Sequence, residues 1–158
     1  SQKTSLEQQL IGEMEPLSEE QILLASVRAS AGIGKGTVDA QYPGALSARR
    51  RQLFNRDDID EIKNLGCLGE NLLAELVSRP CEAIQDPEML SRRATLLTQE
   101  NQDRQLIVDY LVSLEGSSSP TPRTEIVRIL RELVYKQARQ GQWLEREDGT
   151  WLQVGMDS

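Results

Sequence analysis

Gly141-Gln142-Trp143-Leu144-Glu145-Arg146-Glu147-Asp148-Gly149-Thr150-Trp151-Leu152 reads as a β-hairpin attached to a helical protein. Asp148-Gly149 is the turn signal, because a type I′ turn needs φ > 0 at both central positions and Asp and Gly tolerate that best. A two-residue loop there pairs Trp151 with Arg146 and Trp143 with Val154, which sends the two indoles to opposite faces. Both tryptophans of a chain that is only 4% aromatic lie in this segment. One ring can then pack inward while the other stays available. Trp143, Trp151, Asp148 and Gly149 are therefore the expected partner-binding surface.

Working back from the hairpin, the pattern is helical. A helix from about Arg123 to Gln140 has Ile126, Ile129, Leu130 and Leu133 on its apolar face, and Gly141 ends it. Ser117-Ser118-Ser119-Pro120-Thr121-Pro122 reads as a linker. Asp86-Pro87-Glu88 opens a helix running to about Glu115, with Asp at the N-cap and Pro at the first helical position. Its stripe is Leu90, Ala94, Leu97, Val108 and Leu111. Stepping from Leu97 to Val108 passes through Asn101 and Arg104, so two polar groups sit on the apolar face. Gly69 to Arg79 reads as another helix, stopped by Pro80. Asp57 to Gly66 reads as a short helix with its acids in the first turn and Gly66 at the C-terminal cap. Ala45 to Asn55 reads as a separate helix.

The N-terminal part reads differently. Ser5 to Met14 is a short helix, and Ser18-Glu19-Glu20-Gln21 is a capping-box start for a second. Ala31-Gly32-Ile33-Gly34-Lys35-Gly36-Thr37 is a glycine-rich loop leading to Tyr42-Pro43-Gly44. The expected organisation is an N-terminal extension over residues 1–44, then a helical domain with a C-terminal hairpin over residues 45–158. The fold class is mainly α. Ser1 rather than Met opens the sequence, so a signal peptide, a tag or a domain is expected to have preceded it.

Composition narrows the function. The 158 residues carry 25 Asp and Glu against 18 Lys and Arg, a net charge of −7. That disfavours nucleic acid as a partner, since phosphate binding draws on a surplus of cations. No apolar run approaches the roughly 18 residues of a membrane span. The chain has no histidine, which excludes Ser-His-Asp and Cys-His catalysis and histidine-bound zinc. Two cysteines are too few for a four-cysteine metal site. The glycine loop fails the P-loop pattern because Gly36 follows Lys35, so it reads as a hinge. No cofactor is expected. Arg49-Arg50-Arg51 reads as a solvated helix face, with anionic headgroups as the alternative contact. Glu70 is expected to favour a helix dipole, because a general acid–base role needs a second positioned group. Asn101 and Arg104 must be paired if buried, and a structural polar network with Glu70 or with backbone carbonyls is expected, with a groove-facing partner site as the alternative. Cys67 and Cys81 form a disulfide in an oxidising compartment and are two small buried apolar groups in a reducing one.

Three segments together resemble the YdbL-like family of small bacterial periplasmic proteins of unknown function. Gly66-Cys67-Leu68-Gly69-Glu70, with Ala74 and Leu76, resembles the family's G-x-x-G-E-x-x-x-[GA]-x-L. Asn101-x-x-Arg104 resembles its N-x-x-R, with Val108 where an aromatic is usual. Gly141-x-Trp143-Leu144 and Asp148-Gly149-x-Trp151 resemble its closing G-x-[aromatic]-[aliphatic]-x-x-x-[ND]-G-x-W. Residues Thr4 to Leu65 resemble the extension of longer, lipoprotein-type members. The resemblance implies a periplasmic protein tethered to the outer membrane by an N-terminal lipid anchor. It also implies an oxidising compartment, and with it a Cys67–Cys81 disulfide. By association with short members, it implies a non-enzymatic accessory subunit that binds an envelope protein in an AsmA-like inter-membrane phospholipid bridge. The competing expectation is a cell-wall hydrolase using Glu70 and a second carboxylate.

Overall fold

The computed structural model describes residues 44–113 and 123–156. The expected short helices before residue 44, the glycine loop and the Ser117–Pro122 linker lie outside the described residues. The described chain is mainly helical: α1 (Ala45–Asn64), β1 (Leu68–Glu70), β2 (Leu76–Ser78), α2 (Pro87–Ser113), α3 (Arg123–Gln137), β3 (Trp143–Glu145) and β4 (Trp151–Gln153). The strands form one sheet in the order β2-β1-β3-β4, antiparallel except for the central β1–β3 pair, which is parallel. The C-terminal hairpin is thus half of a four-stranded sheet.

Local signals place several element ends. Gly66 adopts φ +79°, and the amides of Gly66 and Cys67 bond back to Lys63 O and Ile62 O, a Schellman closure of α1. Asp86 caps α2, its Oδ2 accepting from Met89 N at 3.2 Å. Gly141, at φ +91°, stands between α3 and β3.

Elsewhere the fold departs from the sequence reading. Ala45–Asn55 and Asp57–Gly66 join into the single helix α1. Asp58, read as a first-turn acid, instead lies mid-helix and accepts from Arg92 of α2 at 2.7 Å. The expected helix Gly69–Arg79 is the β1–β2 hairpin. Its turn is organised by Asn71, whose Oδ1 accepts from Leu73 N and Glu75 N, each at 2.9 Å. Leu90 and Ala94 of the expected α2 stripe are exposed, and Leu96 is buried in their place.

Two apolar clusters hold these elements together. Ile59, Ile62, Leu68, Leu76, Ile84 and Leu96 pack α1 and α2 on one face of β1–β2. Val108 and Leu111 of α2 pack on Ile126, Ile129 and Leu133 of α3. Each such side chain contributes about 1.5–3 kcal/mol on burial.

Candidate functional site

The helix-facing side of the sheet carries an ion network. Glu70 enters it from the middle of the sheet, its side chain only 1% exposed. Arg104 donates from Nη1 to Glu70 Oε1 at 2.6 Å and from Nη2 to Oε2 at 2.9 Å. Its Nε reaches Glu100 at 2.8 Å, and Nη1 also reaches Ala74 O at 2.8 Å. Lys63 Nζ adds a bond to Glu70 Oε2 at 3.1 Å. One turn before Arg104, Asn101 accepts from Leu76 N and donates to Leu76 O, each at 2.8 Å. The side chain imitates a neighbouring strand and satisfies both backbone groups of a buried residue.

Burial alone would raise the Glu70 carboxyl, but Arg104, and then Lys63, outweigh it and hold the group below the usual carboxylate range. Burial opposes the charge on Arg104, and Glu70 and Glu100 restore it, leaving the guanidinium firmly protonated. A carboxylate so held has no proton to give near neutral pH. The arrangement ties α1, α2, β1 and the β1–β2 turn together.

Glu70 and Arg104, singled out from sequence, therefore meet in space, whereas Asn101 bonds the Leu76 backbone rather than Glu70. Lys63 and Glu100 were missed. Glu100 lies one helical turn before Arg104, and that spacing is a signal. Lys63 gave none, because the turn of the chain after Gly66 brings it over Glu70.

The opposite face of the sheet carries both tryptophans, which corrects their expected placement on opposite faces. Trp143 pairs with Gln153 and Trp151 with Glu145, so the indoles are diagonal neighbours on one side. The loop holds three residues, Glu147–Gly149, because Arg146 N pairs with Thr150 O. Gly149 alone takes φ > 0, at +87°, and Asp148 Oδ1 instead accepts from Thr150 N and Oγ1 at 2.9 and 2.6 Å. Those bonds to Thr150 lower the Asp148 carboxyl below its ordinary range. One extra loop residue shifts the pairing by one and moves Trp151 across the sheet.

Arg79 lies between the two rings, its guanidinium carbon 4.9 Å from the Trp143 centroid and 4.3 Å from that of Trp151. Beneath them is Gly69, where a Cβ would stand 2.7 Å from Trp151 Cζ3 and 3.0 Å from Trp143 Cβ. The absence of a side chain at Gly69 lets the stack sit on the strand. Both rings remain half-buried, and Asp148 and Gly149 are exposed at the hairpin tip. Arg79 gave no sequence signal, because the helix expected before Pro80 concealed its place directly after a strand.

Cys67 and Cys81 are disulfide-bonded with Cα atoms 5.1 Å apart, closing the base of the β1–β2 hairpin. Arg93 Nη1 donates to Cys67 O and Arg79 O there, each at 3.3 Å. Of the arginine triplet, Arg51 pairs with the buried Asp103 at 2.7 Å, while Arg50 is exposed. A cleft of about 430 Å³ opens between α1, α2 and α3, with Glu70 and Arg104 in its lining. Among the described residues, no group of three or more His, Cys, Asp or Glu is placed to hold a metal ion, and no helix is long and apolar enough to cross a membrane. Comparison with known proteins finds no matching family model, no matching curated protein and no matching solved structure.

Proposed function

We propose that this is a non-enzymatic, lipoprotein-type protein of the bacterial envelope, tethered to the outer membrane by an N-terminal lipid anchor. It acts as an accessory subunit that binds an envelope protein through its hairpin face, and an AsmA-like phospholipid bridge is the candidate complex. The observation that carries the binding role is the Trp143–Arg79–Trp151 stack. Trp and Arg are the residues that dominate interface energies, and here the stack has fixed their positions before any partner arrives.

The YdbL-like resemblance is supported by the way its quoted positions interlock. Ala74 stands at φ +59°, where a motif allowing Gly or Ala is understandable, and its carbonyl accepts from Arg104. Leu76 is held by Asn101, and Gly69 lies beneath both tryptophans. The hydrolase alternative draws less support, because Glu70 and Glu100 both bind Arg104 and Glu70 is almost fully buried.

The test is capture of partners from envelope extracts by the full-length lipidated protein. Trp151→Ala and Arg79→Ala are expected to lose capture, whereas Phe54→Ala, which alters a residue 84% exposed on α1, keeps it. Equal capture by all three variants overturns the hairpin as the binding face.

A further inference from the structure

Arg79 is a cation held without an anion. On all three described helices arginines pair with carboxylates, as Arg51, Arg92 and Arg128 do. Among the described residues the Arg79 guanidinium has no ion pair and no hydrogen bond, and its contacts are the two indoles, at 4.9 and 4.3 Å. Its Nε is buried with no partner. Nη1 and Nη2 are not buried in that way, so they reach solvent from between the rings. Glu145, on the same face of the sheet, is turned to Leu72 N at 3.0 Å. Arg93 donates to the Arg79 carbonyl at 3.3 Å and brings a second cation without a carboxylate to this corner. In a chain of net charge −7, a positive corner left open suits an acid from outside the chain.

The indoles prepare this cation for a carboxylate. They hold the guanidinium in place and keep water from its sides, which leaves the two terminal amines as its exposed donors. Two parallel N–H donors match the two oxygens of one carboxylate, and the attraction is stronger beside low-dielectric rings than in open water. We propose that the Trp143–Arg79–Trp151 stack takes an acidic side chain of the partner protein, an Asp or Glu set beside an apolar residue that packs on the outer ring edges. This rests on the reading of the hairpin face as the protein-binding surface and adds what the partner must present there. An anionic lipid surface fits less well. It is held by clusters of about 4–8 Lys or Arg, and Arg79 and Arg93 fall short of that.

Selection from a random peptide display library on the immobilised full chain tests this. Enriched peptides are expected to share an Asp or Glu beside an apolar residue, and Trp151→Ala should abolish their binding. Arg79→Gln, at parent-like melting temperature, should weaken them by roughly ten- to a hundred-fold. Changing the shared acid of the peptide to Asn or Gln should have the same effect on the unaltered protein, which tests the contact without touching the fold. Peptides that need Trp151 but bind equally well without the acid, or to Arg79→Gln, would overturn the carboxylate and leave the hairpin face as the binding surface. Peptides unaffected by Trp151→Ala would overturn that surface itself. No enriched peptide, or capture of phosphatidylglycerol vesicles that Arg79→Gln loses, would also overturn the acidic side chain as the occupant.

Discussion

Arg104 holds Glu70 by both carboxylate oxygens, at 2.6 and 2.9 Å, and the carboxylate is only 1% exposed. Two elements 34 residues apart in sequence are joined by one bidentate pair. A bidentate guanidinium–carboxylate pair fixes orientation as well as distance, which a lysine in the same place does not.

Removing one side of this pair leaves a buried charge without its partner. Arg104→Ala is expected to destabilise the fold by about 3–5 kcal/mol, with a marked fall in melting temperature. Replacing both partners, as in Glu70→Leu with Arg104→Met, should cost less than the sum of the single changes. Urea unfolding of the four proteins measures the coupling. Parent-like melting of Arg104→Ala would remove the network from any structural role.

The same pair sets an acid dependence. The carboxyl of Glu70 is depressed in the folded state, so its contribution is fully present above the unfolded value, about 4.3, and is lost as pH falls through the folded value. Between pH 5 and pH 3, about the range in question, the parent should lose more stability than Glu70→Gln, which cannot titrate. Urea midpoints across that range for both proteins give the comparison. Parallel curves would mean that Glu70 is not a depressed carboxylate.

Cys67 and Cys81 should give no reactive thiol in denatured, unreduced protein from an aerobic preparation. Reduction should then lower stability by about 3 kcal/mol in the chain-entropy model. Thiol titration before and after reduction, with melting curves for each sample, checks both statements. Two thiols in the unreduced sample would contradict the pairing.

Gly69→Ala should destabilise the fold by about 1–3 kcal/mol, because its Cβ would meet Trp151 Cζ3 at 2.7 Å and must displace the ring. Trp151→Ala should relieve that clash, so the two changes combine non-additively. A double-mutant cycle by thermal melting, read alongside near-ultraviolet circular dichroism of the indoles, measures this. Strict additivity would mean that the stack does not rest on Gly69.

The sequence by itself determined what backbone chemistry settles within a few residues. The end of α1 at Gly66, the start of α2 at Asp86-Pro87 and the hairpin around Gly149 all follow from local φ preferences and capping groups. The mainly helical class and the Asn101–Arg104 polar step on an apolar stripe were legible for the same reason. The tertiary structure alone decided the β1–β2 hairpin. Strands of three residues carry no usable period, and β1 is a strand because β3, more than seventy residues later, lies parallel beside it. It also merged two expected helices into α1, whose Ile59 and Ile62 are buried in one cluster with Leu96 of α2. The side of the sheet taken by Trp151 depended on one loop residue, and a single step of register reverses every side chain on a strand. Arg79 between the indoles, and Lys63 over Glu70, arise from elements that meet only after the chain has folded, where long-range packing outweighs local preference.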